Sequence, residues 1–142
     1  MFFNGDKFKG IFKNGKPNGY GTMFYKNSIP SSMGGSEYEM ATYKGEWRNG
    51  KREGKGKMVW ADGSSFDGIW KNDQRLKGRQ ILANGWVYFG KFENDKMEDA
   101  QGRLLMSNMV IYEGKFSQGK TSPTGLLMYP NGDIYFGQMT QF

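Results

Sequence analysis

The chain reads as an all-β protein, one long antiparallel meander of short hairpins. Three observations predict this: glycine in excess, abundant rings, and a fixed period shared by both. The 142 residues include 22 Gly, 11 Phe, 8 Tyr and 4 Trp, where an average chain of this length carries about ten glycines. Disordered chains are poor in aromatics, and frequent glycine with no 3.6-residue apolar pattern argues against helices. A length of 142 residues and 16.2 kDa suits one domain.

The first strand of each unit has the form aromatic-x-Gly-x-aromatic. It appears as Phe8-Lys9-Gly10-Ile11-Phe12, Tyr43-Lys44-Gly45-Glu46-Trp47, Phe66-Asp67-Gly68-Ile69-Trp70, Tyr88-Phe89-Gly90-Lys91-Phe92 and Tyr112-Glu113-Gly114-Lys115-Phe116, with a last partial copy from Tyr135 to Met139. From Tyr43 onward the spacings are 23, 22, 24 and 23 residues, and the first spacing of 35 is one period plus 12. The two rings and the glycine share a face because strand side chains alternate. The glycine is expected to leave room for rings of the neighbouring unit over the backbone.

A turn follows each first strand, begun by Asn14-Gly15 and Asn49-Gly50. The second strand then starts at Gly21, Gly56, Gly78, Gly102 or Gly125. Closing turns come at Asp62-Gly63, Asn84-Gly85, Asn108-Met109 and Asn131-Gly132. Asn-Gly and Asp-Gly tolerate the positive φ of a type I′ hairpin turn. Asn4-Gly5-Asp6 matches Asn131-Gly132-Asp133, so the chain opens in the phase of a preceding unit's closing turn. Units are thus expected at 8–27, 43–63, 66–85, 88–109 and 112–132, with a partial unit at 135–142 and an inserted loop at 28–42. The insertion, rich in Ser, Gly and Pro, has loop composition.

In the second strands, positions two and four after the glycine complete the ring face: Met23 and Tyr25, Met58 and Trp60, Gln80 and Leu82, Leu104 and Met106, Leu127 and Tyr129. Position three points the other way, yet reads Phe24, Val59, Ile81, Leu105 and Met128. A solvated sheet face is normally polar there. Either twist or a covering terminus buries these side chains, or they form an apolar stripe that a partner helix or a second copy covers. Ile11, Ile69, Phe89 and Phe136 would widen such a stripe.

Charge is uneven. Residues 1–79 carry 15 Lys/Arg against 8 Asp/Glu, and residues 80–142 carry 5 against 6, so the net +6 lies in the first part. Stacked hairpins would line up Arg48, Lys51, Arg52, Lys55, Lys57, Lys71, Arg75, Lys77 and Arg79 as one basic edge. Such residues keep a β-protein soluble and block edge pairing, or they meet an anionic surface such as acidic lipid or an acidic protein. Nucleic acid is disfavoured, because the rings sit on the core face rather than among the cations.

With neither His nor Cys, the chain excludes Cys/His zinc sites, disulfides and imidazole chemistry. No carboxylate pair for hydrolysis can be identified, and the acidic turn around Asp95 lacks the ligand order of a calcium loop. The expectation is no enzyme, no catalytic residue, no metal and no cofactor. Met1 to Gly15 has no apolar run of signal-peptide length, and no run anywhere is long enough for a membrane helix.

The ordered copies, best seen in Tyr43-Lys-Gly-Glu-Trp47-Arg-Asn-Gly50-Lys-Arg-Glu-Gly54-Lys-Gly56 with Asp62-Gly63, resemble the MORN (membrane occupation and recognition nexus) repeat. The resemblance covers nearly the whole chain outside the insertion. It implies an elongated, twisted ribbon of stacked hairpins acting as a non-enzymatic protein-binding scaffold. The family serves ciliary and flagellar axonemes and other cytoskeletal assemblies, so a cytoplasmic, cytoskeletal setting is implied. Small members embrace a helical tail of a partner, and family members also self-associate in larger complexes. A peripheral acidic-phospholipid module is the alternative. Asp73, Asp95 and Met109 depart from the repeat pattern where it would place glycine.

Overall fold

A computed structural model describes residues 2–3, 5–26 and 41–139. Its strands in chain order are β1 (Phe2–Phe3), β2 (Asp6–Lys13), β3 (Lys16–Tyr25), β4 (Ala41–Arg48), β5 (Lys51–Val59), β6 (Ser65–Lys71) and β7 (Gln74–Ile81). There follow β8 (Val87–Glu93), β9 (Lys96–Met97), β10 (Asp99–Leu105), β11 (Ile111–Ser117), β12 (Lys120–Thr121), β13 (Thr124–Met128) and β14 (Ile134–Gln138). They pair antiparallel in the order β1-β2-β3-β4-β5-β6-β7-β8-β10-β11-β13-β14, with β9 on β8 and β12 on β11. The fold is the all-β meander of stacked hairpins that the periodicity predicts. The insertion read at 28–42 lies outside the described residues, except Ala41 and Thr42, which open β4.

One face carries the core. Phe8, Met23, Tyr43, Met58, Phe66, Gln80, Tyr88, Leu104, Tyr112 and Leu127 stand opposite one another from strand to strand, and all are buried. The second rings, Phe12, Trp47, Trp70, Phe92 and Phe116, interleave with the first. Edge-to-face contacts run Phe12–Phe8–Trp47–Tyr43–Trp70–Phe66–Phe92–Tyr88–Phe116–Tyr112, with centroids 4.7 to 5.4 Å apart. Each such pair contributes about 0.5–1.5 kcal/mol beyond its buried area.

Glycines form the adjoining row of this face, Gly10, Gly21, Gly45, Gly56, Gly68, Gly78 and Gly90 in register, continued by Gly102 with Gly114 and Gly125 with Gly137. The ring that covers a glycine mostly belongs to its own hairpin, which corrects the expectation of a neighbour's ring. A Cβ at Gly56 would run into the Tyr43 ring and hydroxyl; Gly102, under Phe116, is the case where the next hairpin's ring intrudes. With no Cβ beneath it, Tyr43 reaches down to donate its hydroxyl to the Glu46 carbonyl at 2.9 Å. Tyr88, Tyr112 and Tyr135 repeat the bond to Lys91, Lys115 and Gln138. Trp47 and Trp70 donate Nε1 to the Gly21 and Gly56 carbonyls at 3.1 and 3.0 Å.

The two kinds of turn differ. Asn14-Gly15, Asn49-Gly50, Asn72-Asp73, Asn94-Asp95 and Gln118-Gly119 all have positive φ at both residues, as a type I′ turn requires. The closing turns do not follow the type I′ expectation. At Trp60 to Ser64 only Gly63 has positive φ; Gly63 N–H donates to the Trp60 carbonyl at 3.1 Å, and Trp60 N–H to Ser64 at 2.9 Å. This is a three-residue loop, a type I turn followed by one left-handed residue. The Asp62 carboxylate secures it by accepting the Ser64 N–H at 2.9 Å, and Asn84, Asn108 and Asn131 do likewise for Trp86, Val110 and Asp133.

Candidate interaction surface

The other face of the sheet has no second layer among the described residues. Along it, the row next to the buried rings reads Phe24, Thr42, Val59, Ser65, Ile81, Val87, Leu105, Ile111, Met128, Ile134, each opposite the next. Phe24, Val59, Ile81, Leu105 and Met128, picked out at position three of the second strands, therefore fall on one line. Phe89 and Ile69 lie on the same face, one and two rows further along the strands. Val59 is 37% exposed and Phe89 44%, and Phe24, Ile69, Ile81, Leu105 and Met128 are partly exposed. Twist does not bury this stripe.

Four members of the surface went unread in the sequence: Val87, Ile111, Ile134 and Leu126. The first three each precede the first ring of their hairpin, and strand alternation alone assigns that position to the open face. Ile134 and Phe136 are 67% and 77% exposed on β14.

The basic residues divide. Arg48, Lys51, Lys55, Lys57, Lys71, Lys77 and Arg79 are exposed. Arg52 and Arg75 leave the expected edge, because both turn onto the ring face and are engaged there. Arg52 Nε donates to Asp73 Oδ1 at 2.6 Å, its second amino group to the Asp73 carbonyl at 3.0 Å, and its Cζ sits 4.6 Å from the Trp70 ring centroid. Arg75 repeats the arrangement with Asp95, at 2.8 Å for both bonds, over the Phe92 ring at 4.5 Å. Its remaining nitrogen donates to the buried Gln80 Oε1 at 2.7 Å. Asp73 and Asp95, departures from glycine in the repeat pattern, thus carry the carboxylates that hold the arginine of the preceding hairpin.

Burial pushes the Asp95 carboxyl upward, but the hydrogen bonds and charge of Arg75 outweigh it and hold the pKa below its ordinary value. Burial drives the phenols the other way: Tyr25 is pushed up to about 12, and Tyr43, Tyr88 and Tyr112 are also raised. Further bonds tie successive turns together. Gly50, Asp73 and Gly119 N–H groups donate to the Pro17, Arg52 and Met97 carbonyls at 2.8 to 3.0 Å. Asn18 and Glu53 side chains accept the Asn49 and Asn72 N–H groups at 3.1 and 2.6 Å.

The polar side chains of the ring face satisfy one another, as where Ser64 Oγ donates to Asp62 at 2.5 Å. Among the described residues no group of three or more His, Cys, Asp or Glu is placed to hold a metal ion. What the arrangement presents to solvent is a line of mostly apolar side chains on one face, beside exposed cations.

Comparison with known families agrees with this geometry. Residues 8–28, 43–65 and 112–134 match the MORN repeat. The segment between the second and third matches contains Asp73, Asp95 and Met109, yet carries the same strand pairing. Repeats of this kind are non-enzymatic protein-binding scaffolds, generally cytoplasmic or cytoskeletal. A ring–glycine ladder through successive hairpins, with matched repeats at both ends of it, has one assignment: the chain belongs to the MORN-repeat family.

Proposed function

We propose that the chain is a scaffold or adaptor of a ciliary or flagellar axoneme, or of another cytoskeletal assembly. It holds a helix or extended segment of a partner along the open face, on Phe24, Val59, Ile81, Leu105 and Met128 with Ile69 and Phe89 beside them. Residues 1–142 work as one repeat domain, with 28–42 as an insertion. The observation that carries the reading is the line of side chains on the unlayered face, apolar but for Thr42 and Ser65 and unbroken from Ile81 to Ile134, an extent that favours a contact site over scattered surface residues. Substituting Val59, Ile81 and Leu105 together by Asp should abolish partner capture from ciliated-cell extract and leave the far-ultraviolet β signal intact. Capture that survives the triple substitution refutes the assignment of this face.

Acidic phospholipid is the second reading, favoured by the exposed Arg48, Lys51, Lys55, Lys57, Lys71, Lys77 and Arg79. It predicts salt-sensitive binding to phosphatidylserine vesicles that disappears when Arg48, Lys51 and Lys55 are neutralised.

A further inference from the structure

The open face is not uniform along the sheet. Resting on the docking reading above, the next row along the strands states what kind of partner fits. Over β2 to β7 that row carries Lys9, Lys44, Lys57 and Arg79, interrupted by Thr22 and Asp67; one row further stand Lys55 and Lys77. All six cations are exposed. The carboxylates among them are Asp67 and Glu46, and Glu46 is committed to the Lys55 N–H at 2.6 Å. Over β8 to β14 the same row turns apolar, at Phe89, Leu126 and Phe136, and its charges Arg103 and Glu113 pair with each other at 3.2 Å.

From this division we infer that the partner segment is an amphipathic helix lying across the strands. Its apolar side rests on the Phe24-to-Ile134 line, and one flank is acidic over β2 to β7 and apolar over β8 to β14. The dimensions agree. Strands are about 4.8 Å apart and rows of one face about 7 Å apart, whereas a helix turn rises about 5.4 Å. One flank residue per turn therefore stays near one strand per step. Six cations against two carboxylates repel a basic flank and attract an acidic one, which sets specificity and speeds encounter more than it adds affinity. A free sheet edge does not offer this complementarity, because the line runs across the strands and not along one.

Two synthetic 24-residue helices with the same leucine stripe test it. One carries Glu along half of one flank, and the other carries Lys there. Binding to the full chain is read by fluorescence anisotropy at low and at physiological salt. The Glu peptide should bind at least about tenfold more tightly than the Lys peptide, with the ratio shrinking as salt rises. Lys44→Glu, Lys57→Glu and Arg79→Glu together should reverse the preference, and their exposure predicts an unchanged β signal. Equal binding of the two peptides, both lost in Leu105→Asp, overturns the acidic partner and leaves the docking face standing. Binding of neither peptide, with phosphatidylserine vesicles bound instead, overturns the helix and assigns the face to lipid.

Discussion

Replacing Arg75 by Met should destabilise the protein by about 3 kcal/mol. The Arg75 side chain is 15% exposed, spread over Phe92 and bonded to both Gln80 and Asp95. Its loss strands the Gln80 oxygen in the core, a cost of about 1–3 kcal/mol. It also removes a largely desolvated cation–ring contact, worth about 1–2 kcal/mol. The ion pair adds at most about 1 kcal/mol, because Asp95 is 56% exposed and water screens it. Thermal unfolding followed by circular dichroism should show Tm lower by about 10 °C. The decisive variant is the double substitution Arg75→Met, Gln80→Leu. The other hairpins place Met23, Met58, Leu104 or Leu127 at the Gln80 position, so removing donor and acceptor together should recover the cost of the stranded oxygen, about 1–3 kcal/mol, and leave the variant about 1–2 kcal/mol below the parent. A single Arg75→Met within about 0.5 kcal/mol of the parent, the range of ordinary surface changes, refutes the clamp. So does a double variant no more stable than the single one.

Gly56→Ala should cost about 2–3 kcal/mol by overpacking against Tyr43; Gly85→Ala, whose Cβ meets nothing within 4 Å at φ +91, should cost only about 1 kcal/mol for its backbone, both read from urea midpoints. Met109→Gly should stabilise by about 0.5–1 kcal/mol, since Met109 holds φ 65 where the equivalent turns have glycine, seen as a higher midpoint at unchanged slope. Alkali should unfold the sheet: the phenol pKa values of Tyr43, Tyr88 and Tyr112 are raised in the fold by burial. Their contribution is therefore intact below the ordinary phenol value near 10 and lost as pH climbs towards the folded values, with tyrosinate absorbance rising together with loss of the β signal.

Much of this was legible in the residues because rings and glycines mark the period and alternation marks the face. Tyr43, Phe66, Tyr88 and Tyr112 could be placed in the core, and Val59, Ile81 and Leu105 opposite it, without coordinates. The turn-proximal ends were not legible. Between Gly45–Gly56 and Trp47–Arg52 the register shifts, one residue on β4 facing three on β5, and the same bulge recurs beside Gly10. That shift sets Arg52 opposite Trp47, on the ring face, where a smooth hairpin end had suggested an exposed basic edge. A signal did exist: Asp73 and Asp95 stand 21 and 20 residues after Arg52 and Arg75, just short of one period, so each acid arrives where a basic residue of the previous hairpin can reach it. The closing turns escaped for another reason. Asp62-Gly63 and Asn84-Gly85 satisfy both turn types by composition, and the choice rests on the extra residue spanned between Trp60 and Ser64.

In the edge-to-face ladder each ring touches the other ring of its own hairpin and at most one ring of an adjacent hairpin, as Tyr43 touches Trp47 and Trp70. Stability in such a stack is close to a sum of nearest-neighbour couplings. Damage at one joint, such as loss of Trp70, severs communication between the stretches on either side instead of loosening the whole. Hydrogen exchange should accordingly show protection highest in the middle strands and falling towards both ends of the ladder, in steps of about one hairpin. A cargo spanning many strands would then act as a splint, bridging joints that the chain itself connects only one at a time.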